Sequence, residues 1–174
     1  LMVEDPLDKV EAFVAAGADM ITFHLEAARQ PHRVLQRLAG ATNLNDPERG
    51  VVRGVAINPS TPIAALEPLV DDLEFVLVLA INPGWGGQGF LPGTARRLAQ
   101  ARRLIEAAGH PIVLGVDGGV TRDNAAHVAS LGADVIVSGS AIFDGTDAAA
   151  NATLMLDLVR GTARSAAGVA AAPS

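Results

Sequence analysis

The chain has 174 residues, of which 49% are hydrophobic and 3% aromatic, and its formal net charge is −6. This length fits one domain, and the acidic balance provides no broad cationic face for nucleic acid or anionic lipid. Because the chain has no cysteine and no apolar run of the roughly 20 residues that a membrane-spanning helix needs, we expect a soluble cytoplasmic protein without disulfides or thiolate-bound metal.

Helical and strand-like segments alternate along the chain. The first helix is predicted to begin at Asp5-Pro6, with Asp5 as its N-cap and Phe13 on its buried face. Short apolar runs bounded by turn residues predict strands at residues 20–24, 51–57, 74–81, 112–117 and 135–138. Further helices are predicted at residues 31–38, 94–108, 123–131 and 146–164, with one more that follows the 58–62 segment and ends near residue 70. The basic face of the 94–108 helix, with Arg97 and Arg102, is typical of solvated charge.

The alternation of strands and helices favours parallel strands with right-handed crossovers. The sequence GADMI at residues 17–21 recurs as GADVI at residues 132–136, which indicates a repeated strand–helix unit. We therefore predict an α/β fold of the (β/α)8 TIM-barrel type, with residues 1–164 forming a partial barrel that covers strands four to eight. The chain starts like the end of a strand, so we expect that the N-terminal strands are missing. We expect a disordered Ala-rich tail at residues 165–174.

The residues that could take part in chemistry all lie at or just after the C-terminal ends of predicted strands. Asp117 ends an apolar run, and Gly118 and Gly119 come directly after it, where their backbone N–H groups can approach an anion without an intervening Cβ. In a barrel of this type the active site lies at the C-terminal ends of the strands, and phosphate is commonly held by the loops after the last two strands. Gly139 and Ser140 follow the last predicted strand. The alternative is that these are ordinary tight turns, with Ser140 as a helix cap.

A histidine and a carboxylate at this edge of the sheet also predict a metal site. His24 and Asp117 would be two ligands of a divalent cation, although two ligands make an incomplete site. Such a cation could polarise a carbonyl and stabilise an enediolate, which would make a neighbouring C–H acidic enough for a carboxylate base. The remaining histidines fall on helices or loops away from the strand ends, so we treat them as surface residues: His32, His110 and His127.

Six motifs in this order resemble the ribulose-phosphate 3-epimerase family, and they cover nearly the whole chain to about Phe143. They are LMVEDP at residues 1–6, ITFHLEA at 21–27, NPSTP at 58–62, NPGWGGQ at 82–88, VDGG at 116–119 and GSAIF at 139–143. The resemblance implies a metal-dependent isomerase that interconverts D-ribulose 5-phosphate and D-xylulose 5-phosphate in the pentose phosphate pathway. It also implies one divalent metal ion, with Zn, Fe, Mn and Co as candidates, a phosphorylated ketose as partner, and a homo-oligomer when the protein is full length.

The resemblance also implies a role for each matching residue. Asp117 corresponds to one of two acid–base aspartates and to a metal ligand, and His24 to a metal ligand that contacts substrate. The family's second aspartate and a further histidine would precede residue 1, so we expect the chain as written to be nearly inactive. The other residues that match the substrate- and phosphate-binding loops are Gly84, Trp85, Gly86, Gly87, Gly118, Gly119, Gly139 and Ser140.

Because of two departures from the family pattern, the resemblance specifies the type of reaction more closely than the sugar substrate. Trp85 stands where phenylalanine is usual, and Leu79 where methionine is often found. One alternative is another enzyme on the same barrel, such as a hexulose-6-phosphate 3-epimerase, a decarboxylase or an aldolase. A second is a non-catalytic phosphosugar-binding partial barrel. Five- and six-carbon ketose phosphates compared as substrates would separate the two epimerases, and phosphate binding without turnover would favour the binding module.

Overall fold

A five-stranded parallel sheet forms the centre of the molecule. The computed structural model describes the backbone of residues 1–170 and the side chains of residues 1–161. The strands are paired in chain order and all run parallel. They are β1 (Met20–His24), β2 (Val52–Ile57), β3 (Phe75–Leu79), β4 (Val113–Asp117) and β5 (Val135–Val137). This consecutive order is that of a singly wound barrel, not of a doubly wound sheet. It confirms the (β/α)8-type prediction, here as a partial barrel.

Helical segments connect the strands. The α-helices are α1 (Val10–Ala15), α2 (Pro31–Ala39), α3 (Thr94–Ala107), α4 (Ala125–Ser130) and α5 (Ala148–Ala170). Three 3₁₀ helices span Pro6–Lys9, Leu25–Ala27 and Ile63–Asp72. None of the helices in residues 1–170 is both long and apolar enough to cross a membrane.

The two faces of the sheet have different environments. Alternate residues of each strand point to the helices and form the hydrophobic core, including Phe23, Ile57 and Val78, each with no exposed surface. The opposite face carries Thr22 and Phe75, which surround Gly54. A Cβ on Gly54 would lie 2.3 Å from Thr22 Oγ1 and 3.1 Å from Phe75 Cδ1, so only glycine fits there. This second face corresponds to the interior of a barrel, and it remains open among the described residues.

Several predicted details of the helices are wrong. Asp5 makes no side-chain cap, because its backbone has φ 52° and its carbonyl oxygen accepts the Asp8 N–H instead. Phe13 is 43% exposed. The segment after residue 62 is a 3₁₀ helix, in which Pro68 has no N–H for an α-helical bond. Helix α5 begins at Ala148 and continues to Ala170, beyond the predicted end at 164. The last part of the predicted tail, residues 171–174, lies outside the described residues.

The histidines outside the strand ends occupy two kinds of position. His32 and His127 are exposed, as predicted, and His32 Nε2 lies 2.9 Å from a carboxylate oxygen of Asp72. His110 is instead half-buried, and its Nε2 lies 2.9 Å from the backbone oxygen of Leu73. The prediction of a surface residue is therefore wrong for His110, whose ring ties the loop before β4 to the end of the Ile63–Asp72 helix.

Candidate active site at the strand ends

His24 and Asp117 share the inner face of the sheet. In the strand register His24 pairs with Ala56, Ala56 with Leu77, and Leu77 with Gly115, two residues before Asp117. Because residues two apart in a strand point to the same face, both side chains lie on the inner side at the C-terminal edge. His24 is also close enough to act electrostatically on the pKa of Asp117. The structure thus brings together the two residues predicted as metal ligands.

The environment of the Asp117 carboxylate shifts its pKa. It is half-buried at the end of β4, and this burial raises its pKa above the ordinary carboxylate value. The N–H of Gly118 donates to the carboxylate, and this bond and the nearby His24 both lower the pKa of Asp117. Burial prevails, so the carboxylate is a stronger base than an exposed aspartate.

Two oxygens fix the orientation of the His24 ring. Its Nδ1 lies 3.2 Å from Asn58 Oδ1 and 3.9 Å from Glu26 Oε2. Both neighbours are hydrogen-bond acceptors, so in a neutral ring they favour the tautomer with its proton on Nδ1 and its lone pair on Nε2. This is the tautomer that can offer Nε2 to a metal ion or to a substrate hydroxyl.

A network that sequence reasoning missed supports this arrangement. Glu26 Oε1 accepts the N–H of Asn58 at 2.8 Å and the hydroxyl of Thr61 at 2.5 Å. From α3, Arg97 donates to the backbone oxygens of Asn58 and Thr61, at 2.8 and 2.7 Å. Desolvation lowers the pKa of Arg97, and Glu26 acts against this. Arg97 and Arg102 were predicted to be solvated, but Arg102 also donates, to Asp134 at 2.9 Å. The only sequence signal was Glu26 two residues after His24.

Replacing Asn58 with leucine should change the tautomer of His24. Without Asn58 Oδ1, the remaining oxygen of Glu26 is 3.9 Å away, which is too far for a strong hydrogen bond. We therefore expect a mixture of Nδ1–H and Nε2–H forms in the variant, against one Nδ1–H form in the parent. Nitrogen chemical shifts of the imidazole measure this directly. Asn124→Leu, which alters a different loop, is the control, and an unchanged His24 ring in Asn58→Leu would contradict the assignment.

Glycines next to Asp117 and after β5 shape the two loops at this edge of the sheet. Gly118 and Gly119 have φ of 104° and 66°. Asn124 Nδ2 donates to the Gly119 oxygen at 2.9 Å, which holds this loop in shape. After β5, the N–H groups of Ile142 and Phe143 both donate to the Gly139 oxygen. Within residues 1–161, the N–H groups of Gly139 and Ser140 have no hydrogen-bond acceptor, and the Ser140 side chain caps no helix. These groups are available to an anion.

The glycine-rich loop after β3 is held by one side chain. Gln88 Nε2 donates to the backbone oxygens of Asn82 at 2.6 Å and Trp85 at 3.0 Å. Gly84 and Gly87 adopt positive φ, and Trp85 is 62% exposed at the rim of the site. A Cβ on Gly84, Gly86 or Gly87 would meet no atom within 4 Å. The loop is therefore open to solvent.

Metal-ligand groups are sparse at this edge. Among the described residues, no cluster of three or more histidine, aspartate, glutamate or cysteine side chains could hold a metal ion. His24 and Asp117 lie on the inner face, and Glu26 adds a second carboxylate on the Nδ1 side of the His24 ring. The described part of the chain therefore contains no complete metal site, and His24 and Asp117 stay predicted ligands.

Comparison with known sequences gives a consistent family. A sequence model described as the ribulose-phosphate 3 epimerase family matches residues 1–143. The ribulose-phosphate 3-epimerase of Escherichia coli (strain K12) is 44% identical over 148 residues, covering 84% of this chain and 62% of that protein. The enzyme of the same name from Bacillus subtilis (strain 168) is 36% identical, covering 84% of this chain and 64% of that protein. The chain thus spans less than two thirds of the length of these relatives.

Solved structures agree on the fold alone. The 3-hexulose-6-phosphate synthase from Salmonella typhimurium matches with a TM-score of 0.61 at 19% identity, covering 90% of this chain and 68% of that one. Another 3-hexulose-6-phosphate synthase matches with a TM-score of 0.62 at 23% identity, covering 91% of this chain and 70% of that one. At such low identity the likeness concerns the arrangement of strands and helices.

Proposed function

The chain belongs to the ribulose-phosphate 3 epimerase family, and from this premise we propose that it acts at C3 of a phosphorylated ketose, interconverting D-ribulose 5-phosphate and D-xylulose 5-phosphate. One observation carries the proposal: His24 and a half-buried Asp117 of raised pKa share one face of the sheet, at the edge where the N–H groups of Gly139 and Ser140 have no acceptor within residues 1–161. A homo-oligomeric, cytoplasmic full-length protein stays a prediction.

Asp117 is the proposed acid–base group. Its carboxylate takes the C3 hydrogen as a proton, the electron pair of the broken C–H bond forms the C2–C3 double bond, and the π pair of the C2 carbonyl moves onto its oxygen to give an enediolate. Return of a proton to C3 from the same face restores the substrate, while a proton from the opposite face gives the epimer. We assign no donor for that opposite face among residues 1–161.

The glycine loops are the proposed binding site for the phosphate and the sugar. The N–H groups of Gly119, Gly139 and Ser140 would donate to phosphate oxygens, with Ser140 adding its hydroxyl, while the Gly118 N–H donates to Asp117 and Gly118 would shape the turn. The segment formed by Gly84, Trp85, Gly86 and Gly87 would cover the sugar. These interactions fix the substrate with its C3 hydrogen towards Asp117, and correct placement of this kind lowers the barrier substantially.

A divalent metal ion fits part of this site. His24 Nε2 has its lone pair free because Asn58 holds Nδ1, and Asp117 provides an oxygen. This imidazole–carboxylate set suits zinc, iron, manganese or cobalt and does not choose among them. When bound, such an ion would supply positive charge that stabilises the enediolate oxygens.

Deuterium exchange at C3 tests the proposal, because it needs only one acid–base group. The chain is incubated with D-ribulose 5-phosphate in D₂O, and the C3 proton signal is followed by NMR, together with xylulose 5-phosphate. We expect exchange above the rate in buffer, reduced in Asp117→Asn. Phosphosugar binding without exchange would contradict catalysis and favour a binding module. Faster exchange with a hexulose 6-phosphate would favour the six-carbon epimerase.

A further inference from the structure

We propose that Arg122 is a positioning residue for the phosphate-binding loops, holding the turn after β5 at a fixed distance from the loop after β4. The proposal rests on the proposed function, which places a phosphate between the N–H group of Gly119 and those of Gly139 and Ser140. The two sets belong to different loops, so their separation must be maintained if both are to reach one ligand.

One nitrogen of Arg122 makes all the hydrogen bonds of this side chain to the turn after β5. Nη2 donates to the backbone oxygen of Ala141 at 3.2 Å, to Asp144 Oδ2 at 2.6 Å and to Asn151 Oδ1 at 2.7 Å. Arg122 itself lies only three residues after Gly119. Its Nε is buried and has no hydrogen-bond partner among the described residues. The side chain therefore leaves one polar group unsatisfied while its tip binds the neighbouring loop.

The acceptors are themselves held in place. Asp144 Oδ1 accepts the Thr146 hydroxyl at 2.5 Å and the Thr146 N–H at 3.0 Å. These bonds, with that to Arg122, keep the pKa of Asp144 well below its usual value. Asn151 on α5 is 8% exposed, and its Nδ2 donates to the Ile142 oxygen at 2.9 Å. Arg122 thus anchors a preformed turn, which includes the Gly139 oxygen bonded to Ile142 and Phe143.

A second, weaker contact joins the same two loops nearer the sheet. Ser138 Oγ donates to the Val120 oxygen at 3.3 Å. This bond is long and involves a neutral donor, whereas Arg122 makes charge-assisted bonds at 2.6 and 2.7 Å. We therefore expect the separation of the loops to depend mainly on Arg122.

Phosphate affinity of three variants tests the proposal, with inorganic phosphate as the probe and the amide NMR shifts of Gly118, Gly119, Gly139 and Ser140 as the readout. Arg122→Gln is neutral and too short to span the junction, so we expect its affinity to fall about tenfold. Arg122→Lys can place one ammonium with three protons at the position of Nη2, so we expect affinity within about threefold of the parent. Arg160→Gln, an exposed change on α5, should bind as the parent does.

Each outcome has a distinct meaning. If the parent shifts those amides and Arg122→Gln binds equally well, the role of Arg122 is overturned while the phosphate site stands. If the parent shows no shift at those amides, the phosphate site fails and the positioning role with it. Equal losses of phosphate affinity in Arg122→Gln and Arg122→Lys would also overturn the role. The proposed role needs only a cation at the position of Nη2, so lysine should restore the affinity. If Arg122→Gln does not fold, Asp144→Asn weakens the same junction with Arg122 in place, and unchanged phosphate affinity there would overturn the proposal.

Discussion

Asp117→Asn is expected to slow deuterium exchange at C3 of D-ribulose 5-phosphate by about 10³-fold, the usual contribution of a positioned acid–base group. Asparagine has nearly the same shape, but its neutral amide cannot act as a base towards the C3 proton. The measurement compares the initial rates of C3 exchange in the parent and the variant, with Asp157→Asn, an exposed change on α5, as the control. An exchange rate within about threefold of the parent would exclude Asp117 as the base.

The exchange rate of the parent should also depend on pH in a defined direction. Only the carboxylate form of Asp117 accepts the C3 proton, so the rate should fall as pH decreases through the pKa of this group. Because burial raises that pKa, the fall should begin at a higher pH than for an exposed aspartate. A rate that stays constant down to the ordinary carboxylate range would contradict this.

Asp117→Asn should also make the metal-free fold more stable at neutral pH. The pKa of Asp117 is higher in the folded than in the unfolded chain, so the folded state binds this proton more tightly. The stabilisation from this bound proton is complete below the pKa that Asp117 has in the unfolded chain, and it is lost as pH rises through the pKa of Asp117 in the folded chain. Asparagine is uncharged at every pH, so the variant lacks the destabilisation that a buried charge causes. Thermal unfolding with a chelator should therefore show a higher midpoint for Asp117→Asn at neutral pH, and a smaller difference in acid.

The fold was predictable because the strands carry strong local signals. The β3 run is apolar on both faces, as a strand covered by helices on one side and a barrel interior on the other should be. Parallel strands place all their C-terminal ends at one edge, so His24 and Asp117 could be brought together without any knowledge of packing. Helix types and ends were less predictable: Pro68, which lacks an N–H, lies inside a 3₁₀ helix, and Asn124 Oδ1 accepts the Thr121 N–H in the turn before α4, neither of which a hydrophobic pattern contains.

The support of the site could not be predicted, because it depends on residues far apart in sequence. Arg97 reaches the Asn58 and Thr61 oxygens across 39 and 36 residues. A helical pattern places Arg97 only on a basic outer face, and it does not reveal that carbonyl groups approach that face. Arg122 and Asn151 present the same difficulty, since the first follows a glycine turn and the second lies in a helix of ordinary composition. Their contacts exist only once both loops are folded.

Gly119→Ala is expected to separate the loops after β3 and β4 and to abolish most of the phosphate binding. An added Cβ would lie 2.6 Å from Phe90 N, 2.8 Å from Phe90 Cα and 3.0 Å from Gly89 C. All three are backbone atoms, so no side-chain rotation can relieve the clash. The residue also has φ 66°, a conformation that alanine adopts at a cost of about 1–2 kcal/mol. With the overpacking itself, we expect a loss of about 2–4 kcal/mol in the free energy of unfolding.

Two further glycines make this prediction specific. Gly93→Ala is the matched control, because Gly93 has φ −66° and no atom lies within 4 Å of its added Cβ. We expect its unfolding midpoint in urea and its phosphate affinity to equal those of the parent. Gly118→Ala meets the side chain of Ile81 at 2.3 Å instead of backbone, so Gly118→Ala combined with Ile81→Ala should regain part of the lost stability. No smaller side chain at Phe90 can do the same for Gly119→Ala, since the obstacle is the main chain. Full phosphate affinity in Gly119→Ala would show that the close approach of these loops has no part in binding.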